Sequence, residues 1–371
     1  MEFDSKNDGR EIAPEVSVDQ YVRKKQVELS EYVSGYKTIY LDTNFWLTLR
    51  DVVTGELKDA ESIQYYDLVT SLAKKGTCIF PISGNTFAEI LKSDIDTLDH
   101  VVYLIDTLSQ GVSIMSYDER VRMELMYFIY DKLGKDTYLP NEIVWTKLVY
   151  SLGYLDPVND NIDPSLDAHI RKSFFDHMWQ TPLCSIVAKL KDSGKLKQKS
   201  FLDNSAKLNE GKFAHAHENK SFKQMFLSEL AGMLDVYKPV IQDAMLYIYE
   251  KETGVSPSIK DIESSNNCLL TVNMIYNLFR LNKITTELPS YRITSGLYAA
   301  VRWDTNQKFH KNDIVDIGHA SAALPYCDYY FSERKFAHLI TQKQMSYNKV
   351  YDCQVCRNIK SAITVLSELH D

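Results

Sequence analysis

Four carboxylates, far apart along the chain, occupy the same kind of position. Asp42 closes the run "TIYLD", Glu89 lies in "NTFAEIL" shortly after the run "TCIFP", Asp316 stands three residues beyond Asp313 in "DIVDIGHASAA", and Glu333 follows "DYYFS". Each comes just after a β-favouring stretch or at the start of a helical one, so all four are expected near one edge of one sheet. Hard oxygen donors in this number suit Mg2+ or Mn2+ rather than zinc. Crowded carboxylates repel one another, and a divalent cation relieves that repulsion while acidifying any water it holds.

Each position also has a plainer reading. Asp42 can end its strand at a ligand site or serve as the N-cap of a helix opening at Thr43. Glu89 rides a helix whose apolar face is Phe87, Ile90 and Leu91, with Ser83 placed to cap it, so the carboxylate points either to solvent or into a cleft. Asp313 and Asp316 fall on one face at a helix start, where Asp313 as N-cap and Asp316 in the first turn would be a capping arrangement. His319 can hydrogen-bond an acid or a phosphate, or simply pack. Asp328 is an extra acid that either supports the cluster or opens its strand from the preceding turn.

The elements that must position these residues follow from pattern. Short β-branched or aromatic runs at 38–42, 77–81, 112–116 and 328–332 read as strands. Helical stretches begin at Asp59, Asn85 and Asp96 between the first three, which implies right-handed crossovers and a parallel sheet. From about Asp118 to Arg292 the chain reads as helix after helix, and the sheet pattern resumes only afterwards. The fold class is therefore α/β, with a large all-helical insertion: 1–35 an amino-terminal arm or helix, 36–118 the first part of the α/β domain, 119–299 the insertion, 300–371 the second part.

Composition narrows the setting. The chain has 371 residues, 44% hydrophobic and 25% charged, with a formal net charge of −8. That is ordinary globular composition, and the acidic balance argues against coating nucleic acid through bulk charge. The amino terminus is polar and no apolar stretch reaches membrane-spanning length, so a cytoplasmic protein without membrane contact is expected. Six cysteines without framework spacing fit a reducing compartment; Cys353 and Cys356 form one C-x-x-C, read as buried packing rather than a metal or redox pair. The 24 tyrosines are read mostly as core.

"YLDTN", "NTFAEIL", "DIVDIGHASAALPYCD" and "FSER" resemble, in order and spacing, the PIN-domain family of metal-dependent nucleases. The resemblance covers roughly residues 36–118 and 300–371. It implies a three-layer sandwich with a central parallel sheet of about five strands, and an acidic cluster holding Mg2+ or Mn2+ that activates water to cut a phosphodiester. Residue by residue, Asp42 matches the family's first aspartate, Asn44 its supporting polar residue, Glu89 the helical glutamate and Asp316 the third acid. Glu333 falls where the family usually has aspartate, a departure of one methylene. Asp313, Asp328 and His319 stand as supporting residues. The implied activity is an endonuclease, with RNA ahead of DNA as substrate.

Phosphates must still reach an acidic protein. Between Lys189 and Lys223 nine lysines face four acids. Lys195, Lys197 and Lys199, with Arg334 just after the run at 328–332, are candidates for a nucleic-acid surface, the alternative being a solvated face. "HAH" at 215–217 is read as an exposed loop pair. The insertion could bind a partner protein or form a homo-oligomer surface. Two rivals to the nuclease reading differ in class: an aspartyl-phosphate phosphatase, which needs an acid where Asn44 stands, and a catalytically weakened PIN-like module for binding nucleic acid or protein.

Overall fold

The computed structural model describes residues 16–92, 95–158, 161–194, 203–215, 220–256 and 267–370. A capping box of Ser17 and Gln20 opens α1 (Val18–Val33), and β1 (Lys37–Leu41), α2 (Thr43–Thr54), α3 (Ala60–Lys75), β2 (Cys78–Ile79), α4 (Gly84–Ile90), α5 (Ile95–Ser109) and β3 (Val112–Ile114) follow. Next come α6 (Tyr117–Lys132), α7 (Pro140–Ile143), β4 (Trp145–Lys147), α8 (Pro164–Gln180), α9 (Leu183–Asp192), α10 (Ser205–Ala214), α11 (Phe222–Val236), α12 (Lys238–Thr253), α13 (Asn267–Arg280) and α14 (Pro289–Trp303). The chain ends with α15 (Asp313–Ala323), β5 (Tyr329–Phe331), α16 (Arg334–Thr341), α17 (Tyr347–Val350), β6 (Gln354–Cys356) and α18 (Ile359–His370). Among the described residues no helix is long and apolar enough to cross a membrane.

Four strands pair in parallel in the order β2-β1-β5-β6. Ile39 lies opposite Tyr329 and Leu41 opposite Phe331, and the ladder continues past both strands as Asp42 N donates to Phe331 O and Ser332 N to Cys356 O, each at 2.9 Å. Side chains of alternate parity enter two buried clusters. Ile39, Leu41 and Phe331 join one with Trp46, Tyr65 and Leu72; Tyr40 and Tyr330 join the other with Ile317, Ala320 and Ala323. Asp42 and Ser332, two residues beyond Tyr40 and Tyr330, therefore share the α15 face of the sheet at its carboxyl edge.

Two expectations about strands need correction. The run at 112–116 does not extend the parallel sheet as a full strand: β3 pairs antiparallel with β4 and meets the parallel strands through one bridge, Ile82 to Ser113. Pro81 follows Phe80 directly, and a residue without an N–H cannot continue a ladder, which keeps β2 to two residues. The fourth parallel strand is instead β6, three residues long and half exposed, too short to give a β-periodic signal.

The middle of the chain is mostly but not entirely helical, since β4 lies within it, and the boundary at 299/300 falls inside α14. It has its own apolar cluster, with Val121, Leu125, Leu230, Ile241, Ile275 and Tyr291 among its members. It is also tied to the chain leading into α15. Lys212, buried on α10, donates from Nζ to the carbonyls of Val301, Asp304 and Gln307 at 2.5–2.7 Å, neutralising the carboxyl end of α14. Asn209 exchanges two hydrogen bonds with the Phe309 backbone.

Candidate metal centre

β1 leads onward to β2 on one side and lies against β5 on the other, so a crevice opens beyond the carboxyl ends of β1 and β5. In parallel sheets such a switch in strand order is where ligands bind. Asp42 stands there, only 2% exposed. Both readings of Asp42 hold, one for each oxygen. Oδ1 accepts from Thr43 N at 2.6 Å as the N-cap of α2, while Oδ2 is buried without a hydrogen-bond partner among the described residues. Ser332 Oγ and Tyr330 OH, on the same face of β5, are also buried, with no well-formed hydrogen bond among the described residues. An ionised carboxylate oxygen left bare in a dry site costs several kcal/mol, so Asp42 is a group waiting for a cation or a proton.

Glu89 points into this crevice rather than to solvent. Its Oε2 accepts from Thr43 Oγ1 at 2.6 Å and from His319 Nε2 at 3.1 Å. Thr86, Phe87 and Ile90 bury the other side of α4. Ser83 heads α4 but does not cap it: its Oγ lies 2.6 Å from Tyr40 OH, a stronger claim than the first-turn amide. α4 reaches the cluster because Gly318 leaves room for it. A Cβ at Gly318 would lie 1.8 Å from Asn85 Nδ2, which otherwise donates to Val315 O at 3.4 Å.

His319 is completely buried. Nδ1 lies 2.7 Å from Tyr40 OH and Nε2 lies 3.9 Å from Asp42 Oδ1 as well as bonding Glu89. Tyr40 OH in turn touches Ser83 and Thr86. One ligand atom from each of Asp42, Glu89 and His319 falls within 4.8 Å of the others. Burial alone would lower the imidazole, but Tyr40, the Glu89 hydrogen bond and the Asp42 charge outweigh it and hold His319 well above its ordinary value. Glu89, for which burial opposes the His319 and Thr43 contacts, is held below its ordinary value.

Asp316 lies on the first turn of α15, 8% exposed. Burial first, then the Asp42 charge, push its carboxyl up to about 8, with Glu333 and Glu89 adding to the effect and His319 opposing it. Asp42 is raised mainly by burial, with Glu89 adding and His319 opposing. Glu333, exposed at the head of α16, is raised by burial and by the Asp42 and Glu89 charges; Asn44 donates to its Oε1. Asn44 thus supports Glu333, while Thr43 supports Asp42 and Glu89.

The supporting residues divide. Asp313 is the first residue of α15, not its N-cap, which is Asn312. Its carboxylate is taken by Lys335 at 2.6 and 2.7 Å and by His310 N at 3.0 Å, a set closed without metal. For Asp328 the supporting reading is corrected, and the one that has it open its strand holds. Asp328 binds Thr38 N, Thr38 Oγ1 and Lys37 Nζ at the amino ends of β1 and β5, roughly 13 Å of strand away from Ser332.

Lys195, Lys197 and Lys199 lie outside the described residues, as do Ala216 and His217. Arg334 is exposed at the first position of α16, beside Glu333. Within the lysine-rich stretch, Lys212 is structural as described, and Lys191 pairs with Asp99 at 2.6 Å. Lys92 and Lys311, which the sequence reading did not single out, are near enough to the cluster for Lys92 to feel the charges of both Glu89 and Lys311. Cys353 and Cys356 are buried free thiols pushed up by burial, in keeping with packing. Searches against protein-family models, curated proteins and solved structures found no match to this chain.

Proposed function

We propose that the protein is a PIN-like, metal-dependent phosphodiester hydrolase, an endonuclease acting on RNA. The observation that carries the reading is the convergence of Asp42, Glu89 and His319 at the strand-order switch, with Asp42 Oδ2 buried and bare. The parallel core with helical clusters on both faces agrees with the three-layer arrangement that the sequence resemblance implies. RNA comes from that resemblance.

The donor set fits a hard divalent cation. Asp42 offers a free oxygen, Glu89 stands within reach, and Asp316 and Glu333 are raised by the very charges that a cation would offset. Mn2+ or Mg2+ is the expected ion, Mn2+ being the one that also accepts an imidazole if His319 sheds its proton. When bound, such an ion supplies positive charge at phosphorus and a more acidic water. The chain's own residues do the rest. His319, charged and fixed by Tyr40, holds the Glu89 carboxylate in place, and Thr43 ties Glu89 to the turn that carries Asp42. Asp316, protonated near neutral pH without metal, is poised to release its proton once positive charge arrives. Arg334, at the open side, is placed to meet a substrate phosphate.

The test is cleavage of single-stranded RNA and single-stranded DNA in Mn2+ or Mg2+ by the intact chain, Asp42→Asn and Asp316→Asn. Metal-dependent cutting of RNA that both substitutions abolish is expected. The second reading, a weakened PIN-like binding module, is favoured by one observation: Glu333 is already engaged by Asn44. Absence of cutting together with absence of Mn2+ binding by calorimetry would establish that reading instead.

A further inference from the structure

A second site lies away from the acid cluster. A half-open cavity of about 520 Å³ is lined by the amino-terminal half of α1, α6, the segment around Tyr138, and α8 and α12. That volume is within the usual range for a small-molecule site. Its walls are aromatic: Tyr130, Tyr138 and Tyr247 stand with Phe175 and Trp179, and the last two rings lie 4.9 Å apart. Into this aromatic space come two arginines from different helices, Arg23 on α1 and Arg122 on α6.

Among the described residues no acid is bonded to either arginine. Arg23 donates from Nη1 to the neutral Gln26 Oε1 at 3.0 Å, and Arg122 lies over the Tyr247 ring at 5.5 Å. Neither forms a salt bridge among the described residues. Lys251 adds a third cation over the same ring, at 5.3 Å. Of the lining acids, Glu119 is consumed: Oε2 caps α6 at Ser116, and Oε1 accepts from Tyr154 N at 2.8 Å. Asp19 is left as an acid near Arg23. Burial and the like charge of Arg122 weaken the hold of Arg23 on its proton, although Tyr247, Asp19 and Tyr138 oppose them. Two like charges lining one aromatic cavity, with no carboxylate bonded to either among the described residues, are an arrangement an anion stabilises.

We propose that this cavity binds a planar aromatic ring carrying a phosphate, of nucleoside-monophosphate size. The ring stacks against Tyr130 and Tyr138, and the phosphate is met by Arg23 and Arg122. Rings stack on tyrosine faces regardless of base identity, and a guanidinium matches phosphate oxygens in pairs. The same chemistry occurs in a free nucleotide and in the terminal nucleotide of a single strand. This inference does not rest on the hydrolase reading, because no residue of the acid cluster lines the cavity.

The experiment is titration of the full chain with AMP, GMP, CMP and UMP and with the matching nucleosides, followed by calorimetry and by tryptophan fluorescence, for which Trp179 is the local reporter. At least one monophosphate is expected to bind, its nucleoside about tenfold more weakly or worse, since a charge-assisted pair is worth at least that factor. Arg122 is exposed, so Arg122→Met should fold as the parent does; it is expected to lose about tenfold in affinity, and Arg23→Met more. Asp42→Asn should bind unchanged. A 5′-phosphorylated oligonucleotide that binds more tightly than the mononucleotide identifies the strand end as the ligand, and weaker binding identifies the free nucleotide. The proposal is overturned if no monophosphate binds, if nucleoside and monophosphate bind alike, or if Arg122→Met binds as the parent does.

Discussion

Two buried polar groups share α15, and they are built to opposite rules. Around Glu124 every carboxylate oxygen is occupied. Oε1 accepts from Ser290 Oγ at 2.7 Å and Tyr326 OH at 2.8 Å, Oε2 accepts from Ser290 N at 2.9 Å, and the nearby Arg120 bonds Ser321 Oγ and Met115 O. Two residues before Ser321, His319 belongs to a group that does not close: Asp42 Oδ2, Tyr330 OH and Ser332 Oγ all lack a well-formed hydrogen bond among the described residues. The first arrangement joins α6, α14 and α15 and fills both oxygens of its carboxylate, with only Arg120 Nε left without a partner among the described residues. The second gathers more carboxylates than the single His319 charge offsets. Buried polarity of the first kind serves architecture; that of the second kind marks where a ligand belongs.

The sharpest way to break this contrast is to remove one acid from each. Glu124→Ala leaves Arg120 buried without its counter-charge and Ser290 and Tyr326 without an acceptor, so a loss of about 4 kcal/mol is expected in urea unfolding. Asp42→Asn is expected to leave metal-free stability unchanged or improved, because it removes a charge that the fold does not satisfy. Equal losses for the two would erase the distinction.

pH sharpens it next. Asp316 in the folded chain sits at about 8 against an ordinary 3.8, so between those values the folded state holds a proton that the unfolded state has released. Stability from this group is fully present below 3.8 and is lost as pH rises through 8. Asp42, Glu333 and His319, all raised, act in the same direction, and Glu89, lowered, acts against them. Metal-free protein should lose about 3 kcal/mol between pH 5 and pH 8, a range above the one in which Glu89 contributes any slope. Saturating Mn2+ should flatten the curve. A profile that is already flat without metal would mean the carboxylates do not repel one another as described.

A smaller effect tests how the open group is assembled. Gly318→Ala drives a methyl against the Asn85 side chain and should push α4, with Glu89, away from His319. About 2 kcal/mol of stability should go, as for overpacking generally. Mn2+ affinity should fall with it, whereas Asn85→Ala in the same background should recover both. Failure of that rescue would show that the close approach of α4 to α15 is not what places Glu89.

The open group was far more legible in the sequence than the closed one. Strand-end and helix-start acids stand out because their positions are set by local pattern, and Asp42, Glu89, Asp316 and Glu333 all come to the same sheet edge. What local pattern cannot carry is the partner. Asp328 has the same residue type as Asp42 and belongs to the end of β5 away from the cluster, a difference of one strand length. Gly318 and Tyr40 act through neighbours some 230 and 280 residues away in the chain, and no spacing announces that. Glu124 is one acid among several on α6, its role fixed by Ser290 and Tyr326. β6 is not legible because three half-exposed residues carry no period, although both cysteines of the C-x-x-C that ends in it are buried.

The smallest expected effect separates support from ligation. Tyr40→Phe removes a hydroxyl that lies within hydrogen-bond distance of Ser83, Thr86 and His319 Nδ1, while the ring remains packed against Tyr330. About 1 kcal/mol of stability should be lost, the ordinary contribution of a buried hydrogen bond. If His319 acts as a charged clamp on Glu89, Mn2+ affinity should change little, because Nε2 keeps its contact at 3.1 Å. If His319 is instead a ligand, loss of the group that fixes the opposite ring nitrogen should weaken the ion by about tenfold, as when the partner of a ligating histidine is removed. Calorimetry with Mn2+ on the two proteins distinguishes these outcomes, and the same comparison decides whether the imidazole belongs with the carboxylates it touches or with the scaffold behind them.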